Sequence, residues 1–347
     1  MDIFDIQVKE DKLHKNFTSI LSAPRQTERD LFQKWANGFI DRDGKLVKEL
    51  QTTFNSTFWE IYLHAAFKEY GFSVDWSNSS PDFTINAKGT DIIVEAVTAS
   101  AAQGKPNEWD KTFGKEELET LTRFKKLNIE AMIRLSNAIC KKSQKYEKHY
   151  KKLEHVAGKP FVLAVAPFEQ PYFNLQYDRA IKALLYDHYV DEDVFLDNPE
   201  KYPNGPPSVN LGYIEKDNGS EIDLGLFNSP KMSEVSAVMF SCVATWGKVS
   251  AMAINEDGGG IVRATWATPP NGKPEARFFK PQECSETILD GLQIFHNPYA
   301  TYPVAPEVFR SEGVVQFYLD ESTGEWVHES SSNHLQSRLT ISFSSFK

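Results

Sequence analysis

The most constraining stretch of this chain runs from Phe58 to Thr98 and reads FWEIYLHAAFKEYGFSVDWSNSSPDFTINAKGTDIIVEAVT. It opens inside a helix expected over Asn55 to Tyr70, for which Asn55, Ser56 and Thr57 all offer capping side chains. Helical spacing puts Glu60, His64 and Phe67 on one face beside Leu63. Gly71 breaks the helix, and a short apolar run, Phe72 to Trp76, follows. The Pro81-Asp82 step then starts a strand, because proline lacks an N–H and biases the residue before it towards extended backbone. A turn at Lys88-Gly89-Thr90 reverses the chain, and the β-branched run Ile92-Ile93-Val94 delivers Glu95. In a strand buried on both faces an ionised carboxylate is costly unless something compensates it. A hard divalent cation does so with one or two carboxylates while keeping some of its waters. Glu60, Asp82 and Glu95 are therefore the candidate ligands of one ion. Bringing Asp82 and Glu95 to the same sheet end is expected to need an asymmetric or kinked hairpin.

A helix glutamate, a Pro-Asp step and an apolar strand ending in glutamate resemble the PD-(D/E)XK nuclease superfamily. The resemblance covers roughly residues 54 to 190. It implies a restriction-endonuclease-like α/β fold, a mixed sheet flanked by helices. It also implies Mg²⁺, or Mn²⁺ in its place, held by Asp82 and Glu95 with Glu60 assisting, and by the backbone carbonyl of Ala96. In the family a lysine two residues past the second acid assists the attacking water; here that position is Val97. The activity implied is hydrolysis of phosphodiester bonds in nucleic acid, DNA before RNA, in prokaryotic restriction or phage defence. The departure at Val97 keeps open an inactive nuclease fold that binds nucleic acid or protein. A non-nuclease interaction protein, whose acids cap or pair with a lysine-rich helix, is the other alternative.

A replacement lysine is sought on the long helix expected from about Glu116 to Leu153, with a break near Leu127-Asn128. Leu135, Ala138, Ile139, Lys142 and Tyr146 fall on one stripe, so Lys142 interrupts an apolar face, while Arg134, Lys141 and Lys145 are expected off it. A lysine on the buried side needs an anion nearby or must snorkel to solvent. Lys142 is thus the candidate catalytic lysine. Lys141, Lys145, Gln144 and Tyr146 are the candidate nucleic-acid contacts, within a basic strip that also includes Lys148, Lys151 and Lys152. His64 is read as supporting the site or as an ordinary helix histidine. Trp109, in the loop 99–116, either stacks on a base or anchors the loop.

The 347 residues allow one elaborated domain or two, and the division expected is a helical extension over 1–50, an α/β core over 51–195 and a β-rich region over 196–347, packed on the core or extending it. A formal charge of −10 argues against a wholly basic nucleic-acid binder, so any backbone contact must come from a local basic surface. Cys140, Cys242 and Cys284 are scattered, which points to neither a disulfide framework nor a zinc knuckle. No apolar window is long enough for a membrane span, and the first residues are too charged for a signal peptide, so a cytoplasmic protein without membrane contact is expected; a homodimer is left open. Further along, FVLAVAP reads as a central strand and Gln176 to Tyr189 as a helix. Strands are expected at SVNLGYI, EIDLGLF, VSAVMFSCVA, KVSAMAI, IVRATWA, ARFF and VVQFYL, and a hairpin turn at Gly258-Gly259-Gly260. His296 and Asn297 have no evident partner in sequence.

Overall fold

The computed structural model describes residues 1–100, 104–111, 122–257, 260–268, 274–279 and 285–342. The start of the long helix near Glu116, Cys284 and most of the Gly258–Gly260 turn lie outside them. Among the described residues the chain is mixed α/β, built on one eight-stranded sheet. Its strands lie side by side in chain order: β1 (Ser73–Asp75), β2 (Phe83–Ala87), β3 (Thr90–Thr98), β4 (Phe161–Ala166), β5 (Ala237–Phe240), β6 (Gln293–His296), β7 (Val315–Asp320) and β8 (Glu325–Ser330). β1 to β3 form an antiparallel meander, β3, β4 and β5 run parallel, β6 is antiparallel to β5 and parallel to β7, and β8 closes the sheet antiparallel.

Three helices, α1 (Lys15–Ile20), α2 (Gln26–Ala36) and α3 (Leu46–Thr52), form the N-terminal lead-in and pack near α4 (Phe54–Glu69). α4 is apolar nearly all round and correspondingly buried: Phe58, Trp59, Ile61, Tyr62, Leu63, Ala66 and Phe67 all sit in the core. Its two large amphipathic rings find acceptors, Trp59 Nε1 donating to the Ala164 carbonyl at 3.0 Å and Tyr62 OH to the Ile288 carbonyl at 3.0 Å. At its end Gly71 takes φ +73°; its N–H bonds the Lys68 carbonyl and the Phe72 N–H bonds the Phe67 carbonyl, the double closure of a Schellman motif. The β2–β3 turn is a two-residue loop, Lys88-Gly89, with φ of 53° and 93°, the type I′ geometry that matches strand twist.

β3 and β4 are joined through α5 (Phe124–Lys148), which packs on both strands. α5 passes through Leu127-Asn128 without the expected break. Both residues are buried, and the Leu127 carbonyl accepts from Gln170 Nε2 at 3.1 Å, so packing holds a continuous helix there. The expected helix at 176–189 is shorter, α6 (Arg179–Tyr186), followed by α7 (Glu192–Asp197).

The C-terminal region extends the main sheet rather than forming a separate layer, since β5 pairs with β4 along Val162 to Val165. It also carries a three-stranded antiparallel sheet of 275–279, 260–267 and 334–342. KVSAMAI is not a strand but part of α8 (Trp246–Asp257). Its alternating pattern also places Val249 and Ala253 one helical turn apart, and Lys248, fully buried, donates to Glu286 Oε1 and to the Thr287 and Asp290 carbonyls. A strand reading has no way to foresee that buried charge cluster. Among the described residues no helix is long and apolar enough to cross a membrane.

Candidate functional site

The β2–β3 register pairs Ala87 with Thr90 and Phe83 with Val94, so the next residue on each strand sets Asp82 against Glu95. A regular two-residue hairpin is enough, and neither the kink nor the asymmetry expected from sequence is present. Asp82 lies one residue before β2 and is pinned twice. Its Oδ2 accepts from the Ala96 N–H at 2.7 Å, and its carbonyl accepts from Arg42 Nη2 at 2.8 Å. Arg42 also donates to the Asn78 carbonyl and sits over the Trp76 ring, so it ties down the loop that ends in Asp82. Sequence reasoning missed Arg42. Its two carbonyl partners are 36 and 40 residues away, and no local pattern marks such a contact.

Glu95 is completely buried at the centre of the sheet, on the same face as Val97 two residues on. α5 lies over that face. Lys142 Nζ donates to Glu95 Oε1 at 2.6 Å, Lys145 Nζ at 3.0 Å and Tyr150 OH at 3.1 Å. Lys145 is exposed, off the buried stripe as expected, yet it is a helix neighbour of Lys142 and its long stem carries the ammonium in to Glu95. Arg134 is not off it, being buried. The other carboxylate oxygen, Oε2, is buried without a hydrogen-bond partner among the described residues.

Glu60 is half-buried on α4 and within electrostatic reach of the same group. Burial, then the carboxylates of Asp82 and Glu49, push its carboxyl up to about 8, with Glu95 adding to the effect and Lys142 opposing it. Asp82 is pushed up to about 6 by burial and by Glu95, against the pull of Lys142, the Ala96 N–H and Lys145. Three carboxyls thus crowd one region against two ammonium groups, and two of them resist ionisation. Among the described residues no group of three His, Cys, Asp or Glu side chains is placed to hold a metal ion. The donors that do converge are two carboxylates, Asp82 and Glu95, and one backbone group. The Ala96 carbonyl points to the same side of β3 as its N–H, towards Asp82 and past the last β2 pair. Mg²⁺ characteristically takes one or two carboxylates and completes its shell with water, so the unbonded Glu95 Oε2 and the mutual repulsion of the acids fit such an ion.

Beside the acids a cleft of about 690 Å³ runs between the end of β3 and α5, lined by Val97, Arg134, Asn137, Lys141, Lys142 and Lys145 among others. Lys141 and Gln144 are exposed. Tyr146 is buried with its ring stacked on Phe161 at 4.5 Å, and it lines a different hollow with Glu234 and Tyr302. His64 is turned away from the acids, its Nδ1 3.1 Å from the Trp35 carbonyl among Phe39 and Trp76. Trp109 packs edge-on against His14 at 4.3 Å, an anchoring contact. His296 and Asn297 are structural: His296 bonds Gln316 and the Val304 carbonyl, and Asn297 bonds the Met232 and Val235 carbonyls. Compared with known protein families, characterised proteins and solved structures, the chain matches none.

Proposed function

We propose that this protein is a divalent-metal-dependent nuclease of the PD-(D/E)XK kind, acting on phosphodiester bonds in DNA. The observation that carries the reading is the pairing of Asp82 with Glu95 across a regular hairpin end, with lysines from α5 on one Glu95 oxygen and the other oxygen unbonded. The order α4, β1–β3 meander, α5, then β4 parallel to β3 supports a restriction-endonuclease-like core. Asp82, Glu95 and the Ala96 carbonyl would hold Mg²⁺ or Mn²⁺, with Glu60 close by. When bound, the ion polarises the scissile phosphate and lowers the pKa of its water. Asp82 is kept in place by the Ala96 N–H and by the Arg42 clamp on its carbonyl. Lys142 takes the part that Val97 cannot. Its ammonium has three donors and spends one on Glu95, leaving others for a phosphate oxygen or the attacking water. Lys141 and Lys145 supply local positive charge for the strand in an otherwise acidic chain.

The test is a cleavage assay on plasmid DNA and on RNA with Mg²⁺ or Mn²⁺, against chelator. Wild type is expected to cut DNA only with metal. Asp82→Asn and Glu95→Gln should fall to background, and Lys142→Met should lose on the order of 100-fold or more. Cleavage by Asp82→Asn at the wild-type rate sinks the assignment.

One observation favours a second reading. Lys142, Lys145 and Tyr150 already surround one Glu95 oxygen, and a carboxylate neutralised in this way needs no ion. An inactive nuclease fold that binds nucleic acid or protein would keep this arrangement. Calorimetry separates the two, since Mg²⁺ binding abolished by Asp82→Asn supports the enzyme, and no heat of binding supports the inactive form.

A further inference from the structure

Arg134 is a cation of the cleft wall that bonds none of the three acids among the described residues. It stands on α5 eight residues before Lys142, about 12 Å along the helix axis. Its side chain is only 4% exposed. Nε and Nη1 are shielded from solvent and have no hydrogen-bond partner among the described residues. Nη2 lies 3.9 Å from Glu130 Oε2, too far for a hydrogen bond, and Glu130 is shared with Lys105 at 3.6 Å. Burial weakens the hold of the group on its proton, with Glu130 and then Glu169 opposing, yet a guanidinium stays charged in a protein. A buried cation with unmet donors is a standing cost to the fold. Its ordinary remedy, the glutamate one turn before it, is present but does not reach.

Arg134 nevertheless forms part of the cleft wall. It lines that space with Asn137 and Lys141, the next residues along the same helix face towards Lys142 and Lys145. The wall is thus a row of donors, two of them fully charged, leading away from the acids. A phosphate group is the ligand whose charge suits such a row: a guanidinium, an amide and an ammonium stand along one wall, all donors and none an acid.

We propose that Arg134, with Asn137 and Lys141, forms a phosphate subsite for a nucleic-acid strand, offset along the cleft from the scissile phosphate at Asp82 and Glu95. The subsite rests on the nucleic-acid reading of the cleft but not on its being catalytic. It positions the strand, so that the scissile phosphate meets the acids, and it contributes affinity independent of base sequence.

The experiment uses the full chain in EDTA, with a fluorescein-labelled DNA duplex followed by anisotropy across a potassium chloride series. Arg134→Met is expected to weaken binding about tenfold and to reduce the salt dependence by about one released counterion. Because it removes a buried charge without leaving one, its melting temperature should equal or exceed that of wild type. Arg134→Lys, which retains the charge but not the planar fork, should keep the wild-type salt slope and recover only part of the affinity. Unchanged affinity and slope in Arg134→Met overturn the subsite. A second measurement does not depend on that variant folding. The Arg134 Nε–H signal, assigned by its loss in Arg134→Lys, should shift saturably when inorganic phosphate replaces chloride in wild type; no shift also overturns it. Cleavage with Mg²⁺ is measured in parallel. Phosphate and duplex binding that depend on Arg134, with no cleavage by wild type, would leave the subsite standing and remove the nuclease reading alone.

Discussion

Glu60 shows how a single side chain can be costly to the fold. With its carboxyl pushed up to about 8 from an ordinary 4.5, the native state binds more protons than the unfolded chain between those values. Stability therefore falls as pH rises through that window, the reverse of a salt-bridged carboxylate. Glu60→Gln is expected to be more stable than wild type at pH 8 by about 1 kcal/mol or more, with the difference vanishing below pH 4.5. Thermal melts at pH 5 and pH 8 check this, and an equal difference at both would mean that burial is not resisting the charge. Mg²⁺ should narrow the gap by stabilising the ionised wild type, as binding to the native state alone must. At this scale Asp82 and Glu95 were legible in the sequence, since a proline step, a turn and a β-branched run are local signals. Arg42, the contact of Lys145 with Glu95 and the unmet donors of Arg134 were not, because each depends on the partner met, or not met, across the fold.

Among the elements, α4 and the β2–β3 hairpin carry the site, and their ends are set by backbone geometry. Gly71 closes α4 at φ +73°, and a Cβ there would meet nothing within 4 Å. Gly71→Ala should therefore cost about 1 kcal/mol, through the left-handed backbone alone. A denaturant titration reads this directly, and a neutral result would show that the helix end can relax. The helix over 55–70 and the Lys88-Gly89 reversal were readable because a terminal glycine and an exposed turn are short-range chemistry, whereas the capping expected of Asn55, Ser56 or Thr57 is not found: all three lie inside α4, which starts after Thr53 without a side-chain cap. KVSAMAI misled because an apolar alternation of that length is compatible with either period, and burial of Lys248 against Glu286 settled it.

Across the whole molecule, the sheet does not stop where the sequence composition shifts near residue 195. β4 is buried along its full length and pairs with β5 from the C-terminal region. Tyr62 and Tyr70 of the N-terminal half bond the Ile288 and Phe309 carbonyls. A fragment of residues 51–195 would open the β4 edge and strand both hydroxyls, and an unpaired apolar edge invites aggregation. The fragment is expected to aggregate or to lack a cooperative melt by circular dichroism, whereas the full chain melts cooperatively. A soluble, cooperatively melting fragment would establish the core as a separate domain.

The sequence by itself determined the elements around the acids, the turn that joins two of them and the mixed α/β character, because each follows from periodicity and turn chemistry within a few residues. Only the tertiary structure decided that eight strands from both halves make one sheet, that two lysines of α5 converge on one Glu95 oxygen, and that Arg134 is buried without a hydrogen-bond partner at the cleft wall. Those outcomes depend on contacts between residues far apart in the chain, and a charge reveals its purpose only through what lies within a few ångströms of it.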